Sequence, residues 1–260
     1  MSLEIQFMTK ERFRDIIPEP VPAAEMFPEW FSKIPLISKS KCPFAFVSED
    51  LHQLSLLKDT NIKGCMGVVD YLKMGYIIPS FADFVFRQSG DDLYVNWFDN
   101  KLYNIEYTVH PQDQFEGMPN KPTYNHFSKI QTPWVIKTSP GVSCILTHPI
   151  WHRNTSFTTS TGIFHTDKSP LNLPWFFEWN YKITSGLSLE EMDQDKQLIP
   201  TNHPIILIIP FYRKKFKSSI KYLSDFEIDR MDNVQAVKTH SIDKNDVYSK
   251  FRRSLGKVFK

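Results

Sequence analysis

WVIKTSPGVSCILTHPIWHRNTSFTTSTGIFHTDKSPLNLPWFFEWN, residues 134–180, and LIPTNHPIILIIPFYR, residues 198–213, decide the fold. Inside them lie WVIKT, VSCILTH, TGIFHTD, PWFFEW and PIILIIPFY, short runs rich in β-branched and aromatic residues. Pro, Gly, Asn and Ser separate these runs, which is strand chemistry. Pro140-Gly141 is a turn dipeptide: proline fixes φ and glycine accepts φ > 0. The apolar run Ile205–Ile209 is too short for a helix and fits a strand buried on both faces. Pro204 and Pro210 bracket it, where a missing N–H disturbs a ladder least. The reading is a mainly β fold, an antiparallel β-sandwich or barrel, with a few peripheral helices.

Working outward, further strands are expected at Tyr76–Ile78, Ala82–Arg87, Leu93–Phe98 and Ile105–Val109, with a hairpin turn at residues 89–92. Ile5–Ile17 reads as a strand followed by a turn. PEPVP, residues 18–22, is extended because proline and the residue before it avoid α geometry. Phe27, Trp30, Phe31 and Ile34 fall at helical spacing, with Pro28 in the first turn. They suit an aromatic face packed on the core better than a lid over a ligand. Cys65, Val68, Val69 and Leu72 form a second helical run, and Gly75 is placed to end it. Residues 38–58 read as an insertion, and Ser188 with Glu191 has the spacing of a capping box. After Arg213 the chain turns basic, and DVYSKFRRSLGKVFK, residues 246–260, has the pattern of a basic amphipathic C-terminal helix. The expected organisation is one β-rich domain over 1–217 (N-terminal extension 1–60, β core 76–213) and a helical tail over 218–260.

The chain has 260 residues, 41% hydrophobic and 14% aromatic, enough for a substantial core. Pro outnumbers Gly by 18 to 9, favouring short strands and rigid loops. A formal net charge of +2 makes no electrostatic case for nucleic acid or a membrane beyond the basic tail. Three cysteines without CxxC spacing suit a reduced, intracellular setting. There is no signal-peptide pattern and no apolar run near the ~20 residues of a membrane span.

Candidate chemistry is sparse. His165-Thr166-Asp167 is an HxD pair; in a strand, i and i+2 share a face and would converge on one metal. His203 would complete a 2-His-1-carboxylate triad, and Arg213, ten residues on, would hold the carboxylate of 2-oxoglutarate. Against this stand the short interval between Asp167 and His203 and the constraint of Pro204 on His203. A cupin-like variant would use His148, His152 and His165, with Asp167 as an optional further ligand. Cys144, in apolar VSCIL, reads as a buried, inert thiol. No G-x-S-x-G elbow, P-loop or Rossmann glycine pattern is present. Trp134, Trp151, Trp175, Phe176, Phe177 and Trp179 would serve as a stacking platform or, on the simpler reading, as core.

Several stretches carry a resemblance: EMFPEWFSKIP (25–35), the Lys63, Cys65, Asp70, Gly75–Pro79 and Ala82-Asp83 pattern, and HPQDQFEG (110–117). PWVIKTSPGVSCILTHP (133–149), TGIFHTD (161–167), LPWFF (173–177) and PIILIIPFYRKKF (204–216) continue it. As an ordered set over Pro18–Lys217 they resemble a family of uncharacterised proteins of tailed bacteriophages, marine ones among them, and of some bacteria. The resemblance implies a virus-associated origin and brings no established activity. In that family's pattern Asp stands at the position of His165 and Gly-Thr-Pro at Asn202-His203-Pro204, so both histidines are departures from it. The order of Pro-Gly turn, strand, Gly162–Asp167 and hydrophobic exit strand is also similar in architecture to the dUTPase and dCTP-deaminase β-fold. The Arg-Ser-Gly motif of those enzymes is missing after Thr147-His148-Pro149, and so is the aromatic after Asp167-Lys168. Only topology is implied.

The expectation is therefore a non-enzymatic, phage-type binding or structural protein without a cofactor, in the host cytoplasm or in a virion. Its partner would be a second copy or another viral or host protein. The alternatives are an Fe(II)/2-oxoglutarate oxygenase using His165, Asp167, His203 and Arg213, and a degenerate nucleotide-binding protein of the dUTPase-like fold.

Overall fold

The computed structural model describes residues 3–35, 61–89, 92–97, 102, 105–110, 112–115, 117, 127–179 and 197–231. The insertion at 38–58, the turn at 188–191 and the helix at 246–260 lie outside them. The chain divides into two units, 1–36 with 61–214, and 37–60 with 215–260.

Among its described residues the first unit is mainly β, built of antiparallel sheets with few helices and no closed barrel. Its strands are β1 (Ile5–Met8), β2 (Val21–Pro22), β3 (Tyr76–Pro79), β4 (Phe84–Ser89), β5 (Asp92–Trp97) and β6 (Tyr107–His110). They continue with β7 (Phe127–Thr138), β8 (Val142–Thr147), β9 (Phe157–Thr159) and β10 (Gly162–Phe164). The last are β11 (Leu171–Trp179), β12 (Gln197–Ile199) and β13 (Pro204–Tyr212). One five-stranded sheet runs β1-β7-β11-β9, with β6 also on β7. A second runs β10-β8-β13-β3-β2, and a three-stranded sheet runs β12-β4-β5. Two short helices accompany them, α1 (Glu29–Lys33) and α2 (Met66–Leu72).

Alternation along β7 and β11 sorts the first sheet. Ile130, Trp134 and Ile136 of β7 and Leu173, Trp175, Phe177 and Trp179 of β11 are buried in one core. There they share it with Cys144, Leu146, Ile206 and Ile208 of the second sheet and Phe84 and Phe86 of the third. The aromatics pack on one another: Trp175 meets Phe157 edge-on at 5.0 Å and Phe84 at a tilt at 5.8 Å, centroid to centroid. Most of the aromatic cluster is therefore core, and Trp175 and Phe177 are fully buried.

β13 is buried on both faces, as the unbroken apolar run implies. Ile206 and Ile208 join the main core, while Leu207 and Ile209 meet Ala23, Ile77 and Tyr71 on the far side of the sheet. Burying each such side chain stabilises the fold by roughly 1.5–3 kcal/mol. Gly75, after α2, sits at φ +76 and lets the chain pass hard against the Ile208 carbonyl.

Pro133 breaks the first sheet locally. It has no N–H to give a neighbour. Asn172 pairs with Val135 and Pro174 with Gln131, so three β7 residues face one of β11. On the other side of β7, β1 reaches only to Val135 and β6 begins at Ile130. Among the described residues, no strand pairs with β7 between those two points.

In the second unit, residues 215–224 have no regular structure and 225–231 are helical. Ser224 and Glu227 form a capping box: Ser224 N–H donates to Glu227 Oε2 at 3.0 Å, and Glu227 N–H to Ser224 Oγ at 3.4 Å. Among the described residues, no helix is long and apolar enough to cross a membrane.

Candidate functional site

β8 has a candidate cluster at each end. At its start, the turn Ser139–Val142 is closed by Val142 N–H to Ser139 O, with Gly141 at φ +84. β10 ends beside it, since Phe164 pairs with Cys144, and β13 ends there too, since Tyr212 pairs with Val142. This brings His165, Asp167 and Arg213 together. Asp167 takes a forked pair from Arg213, Nη1 to Oδ1 at 2.8 Å and Nη2 to Oδ2 at 2.5 Å. The Gly141 N–H adds a bond to Oδ2 at 2.9 Å. The guanidinium first, and the Gly141 N–H second, hold the Asp167 carboxyl far below the usual carboxylate range.

Ser143 Oγ accepts from Arg213 Nη1 and lies 2.8 Å from His165 Nδ1. An arginine donor also lies 3.3 Å from Nδ1, so that nitrogen faces donors on both sides. The arrangement is not a nucleophilic triad. Ser143 has no exposed surface, and Asp167 orients Arg213 and not the histidine. His165 and Asp167 also leave β10, which ends at Phe164, and enter a turn, so the shared-face geometry expected of i and i+2 in a strand does not apply. Cys144 is fully buried beside Thr166, 3.6 Å away, and burial raises its thiol pKa.

The other end of β8 holds different histidines. His148 follows β8, His152 closes a 3-10 turn Ile150–His152, and His203 precedes β13. Leu207 pairs with Thr147, so the entry of β13 lies at the exit of β8. His203 is thus a strand length, roughly 17–20 Å, from His165 and Asp167. The register therefore separates His203 from the HxD pair, while Arg213, the expected 2-oxoglutarate anchor, stays with it and pairs with Asp167. Among the described residues, no group of three or more His, Cys, Asp or Glu is arranged to hold a metal ion.

At this second end the tautomers are set by their neighbours. Asn154 Oδ1 accepts from Ser156 N–H at 2.7 Å, which points its amide nitrogen at His203 Nε2, 2.6 Å away. Nδ1 of His203 therefore carries the proton. His148 Nδ1 accepts the Thr159 N–H at 3.2 Å, so its proton is on Nε2. Both rings stand edge-on to fully buried Phe157. Trp30 of α1 donates Nε1–H to the Trp151 carbonyl at 2.6 Å and packs its ring against Trp151. The rest of the expected aromatic face, Phe27 and Phe31, is half-buried and belongs to neither hydrophobic core cluster. Burial, and then the charge of His203, push His148 and His152 down to about 4. Burial lowers His203 as well.

A pH effect follows from these shifts. All three histidines fold neutral, with native pKa values below the ordinary 6.5. Stability is complete above pH 6.5. It falls as the pH drops from 6.5 toward 4, because the unfolded chain takes up protons that the native chain refuses. Thermal unfolding followed from pH 7.5 to 4.5 checks this. His152→Gln, which cannot charge, flattens the decline, and an unchanged slope in that variant contradicts the assignment.

No family model matches the chain, and no curated protein matches it in sequence. A solved structure of a mutant dUTPase from phage phi11 of S. aureus is weakly similar. The TM-score is 0.32 at 15% identity, over 58% of this chain and 86% of that one. A likeness of that size carries no argument about site or reaction.

Proposed function

We propose that this is a non-enzymatic, phage-type binding and assembly protein that associates with a second copy of itself through the segment after β13. One observation carries the reading. Phe216 is 94% exposed, Ile220 83% and Tyr222 91%, in a stretch that also holds Lys214, Lys215, Lys217 and Lys221. Large apolar side chains kept in water at this density mark an interaction surface. The chain supplies both halves of a contact: an irregular segment, and sheet edges unpaired among the described residues, such as that of β10, to receive it. The closed hydrogen bonding of Asp167 and Arg213 supports a structural role for the HxD stretch. The phage-type origin, and with it the host cytoplasm or virion as its place, rests on the ordered sequence motifs alone.

Sedimentation velocity at micromolar concentration tests the assembly. The full chain is expected to run as an oligomer. The variant carrying Phe216→Ser, Ile220→Ser and Tyr222→Ser is expected to run as a monomer with an unchanged far-ultraviolet spectrum. Equal masses for the two overturn the reading.

A further inference from the structure

Residues 214–224 read KKFKSSIKYLS and include no acidic side chain. The segment has no regular structure before the helix that starts at 225. Its side chains are nevertheless sorted by parity. Phe216, Ile220 and Tyr222, all almost fully exposed, are even-numbered. Lys215, Lys217 and Lys221 are odd-numbered. In an extended chain successive side chains alternate between two faces, so the three apolar groups share one face and the three lysines the other. Self-association draws on the apolar face and leaves the lysines without a role.

Those charges are available. Lys215 and Lys217 are exposed and engage no partner among the described residues. Lys221 stands 3.5 Å from Glu227 with both side chains open to water, a pair that exchanges at little cost. Lys214 lies over the Tyr212 ring at 5.4 Å and Arg213 is held by Asp167, so neither is counted. The free charge is therefore ammonium and not guanidinium, and it stands beside aliphatic Ile220, which has no π-face. Single-stranded nucleic acid is held by aromatic stacking and by arginine, which matches this pattern less well. An anionic bilayer matches it on both counts. Its headgroups attract lysine, and the acyl boundary beneath them takes phenylalanine, isoleucine and tyrosine. Long lysine stems reach the headgroups from a chain that lies in the interface.

We infer that residues 215–222 bind the surface of an anionic lipid bilayer. Phe216, Ile220 and Tyr222 enter the acyl boundary, and Lys215, Lys217 and Lys221 lie among the headgroups. The inference rests on the reading of this segment as a contact surface and adds lipid as a second partner.

Co-sedimentation of the full chain with vesicles tests it. One set is phosphatidylcholine alone, the other phosphatidylcholine with one third phosphatidylglycerol, and single-stranded polythymidylate is the competitor. The chain is expected to pellet with the anionic vesicles and not with the neutral ones. Lys215→Gln with Lys217→Gln is expected to weaken binding about thirtyfold, the effect of two lysines at an anionic surface. Phe216→Ser with Ile220→Ser, which keeps every lysine, is expected to weaken it about tenfold or more. All four side chains are exposed, so both variants keep the fold, which their thermal midpoints check. The lysine variant retains the apolar face and is expected to keep the wild-type mass without lipid, which separates this contact from self-association. A chain that is monomeric yet pellets with the anionic vesicles overturns self-association and supports the lipid contact. No binding, equal binding to both vesicles, unchanged affinity in either variant, or a tighter hold on polythymidylate overturns the inference.

Discussion

Trp175→Ala is expected to cost the fold about 3–5 kcal/mol, the range for removing a large aromatic from a closed core. The indole has no exposed surface and touches Phe84 and Phe86 of β4, Phe157 of β9 and Phe177 of its own strand. Its Nε1–H donates to Thr159 Oγ1 at 3.2 Å, and that hydroxyl in turn donates to the Ile205 carbonyl in the bulge of β13. Alanine therefore opens a cavity where the three sheets meet and strips one bond from a buried relay. Trp175→Phe keeps most of the contact and is expected to cost only ~1–2 kcal/mol. Urea unfolding followed by circular dichroism measures both; a lower midpoint at unchanged slope marks lost stability. A loss under 1 kcal/mol for the alanine variant contradicts this packing.

Gly75→Ala is the second large effect. A Cβ there would stand 2.0 Å from the Ile208 carbonyl oxygen and 3.0 Å from its carbon, and the backbone is at φ +76. Both obstacles are backbone, so no side chain can swing away. Strain at positive φ costs ~1–3 kcal/mol and overpacking as much again, giving a loss of about 3–5 kcal/mol. Gly67→Ala in α2 is the internal control. Nothing lies within 4 Å of its Cβ, and the change is expected to be neutral or to stabilise by ~0.5–1 kcal/mol. Equal losses from the two substitutions would sink the argument.

These two glycines indicate how far sequence reading reaches. The helix stop at Gly75 was legible from local spacing; the approach of Ile208, more than a hundred residues away, was not. Local chemistry also marked β8, β10, β11 and β13, because their apolar density is high and their turns carry Pro or Gly. It missed the first half of β7, where Lys129, Gln131 and Pro133 look like loop composition and only pairing with β6 and β11 makes a strand. β9 escaped for the same reason, being three residues held by β11. The histidines separate along the same line. His165, Asp167 and Arg213 do lie together, but the arginine meets the aspartate itself, an ion pair that no spacing in the sequence announced. Whether His148 and His152 face His165 or His203 depends on which strand borders which end of β8, a fact of sheet order that no local spacing encodes.

The clasp at Asp167 has a mechanical side. It sits where β13 gives way to the segment that carries Phe216, so tension on that segment reaches the fold through Arg213. The load passes into the Asp167 carboxylate and, through the Arg213 N–H, into the Gly141 carbonyl, then spreads over the β8–β13 ladder from Tyr212 to Leu207. Pulled along the axis of β13, those bonds share the force in shear and must yield together, so the junction bears load without the sheet peeling apart.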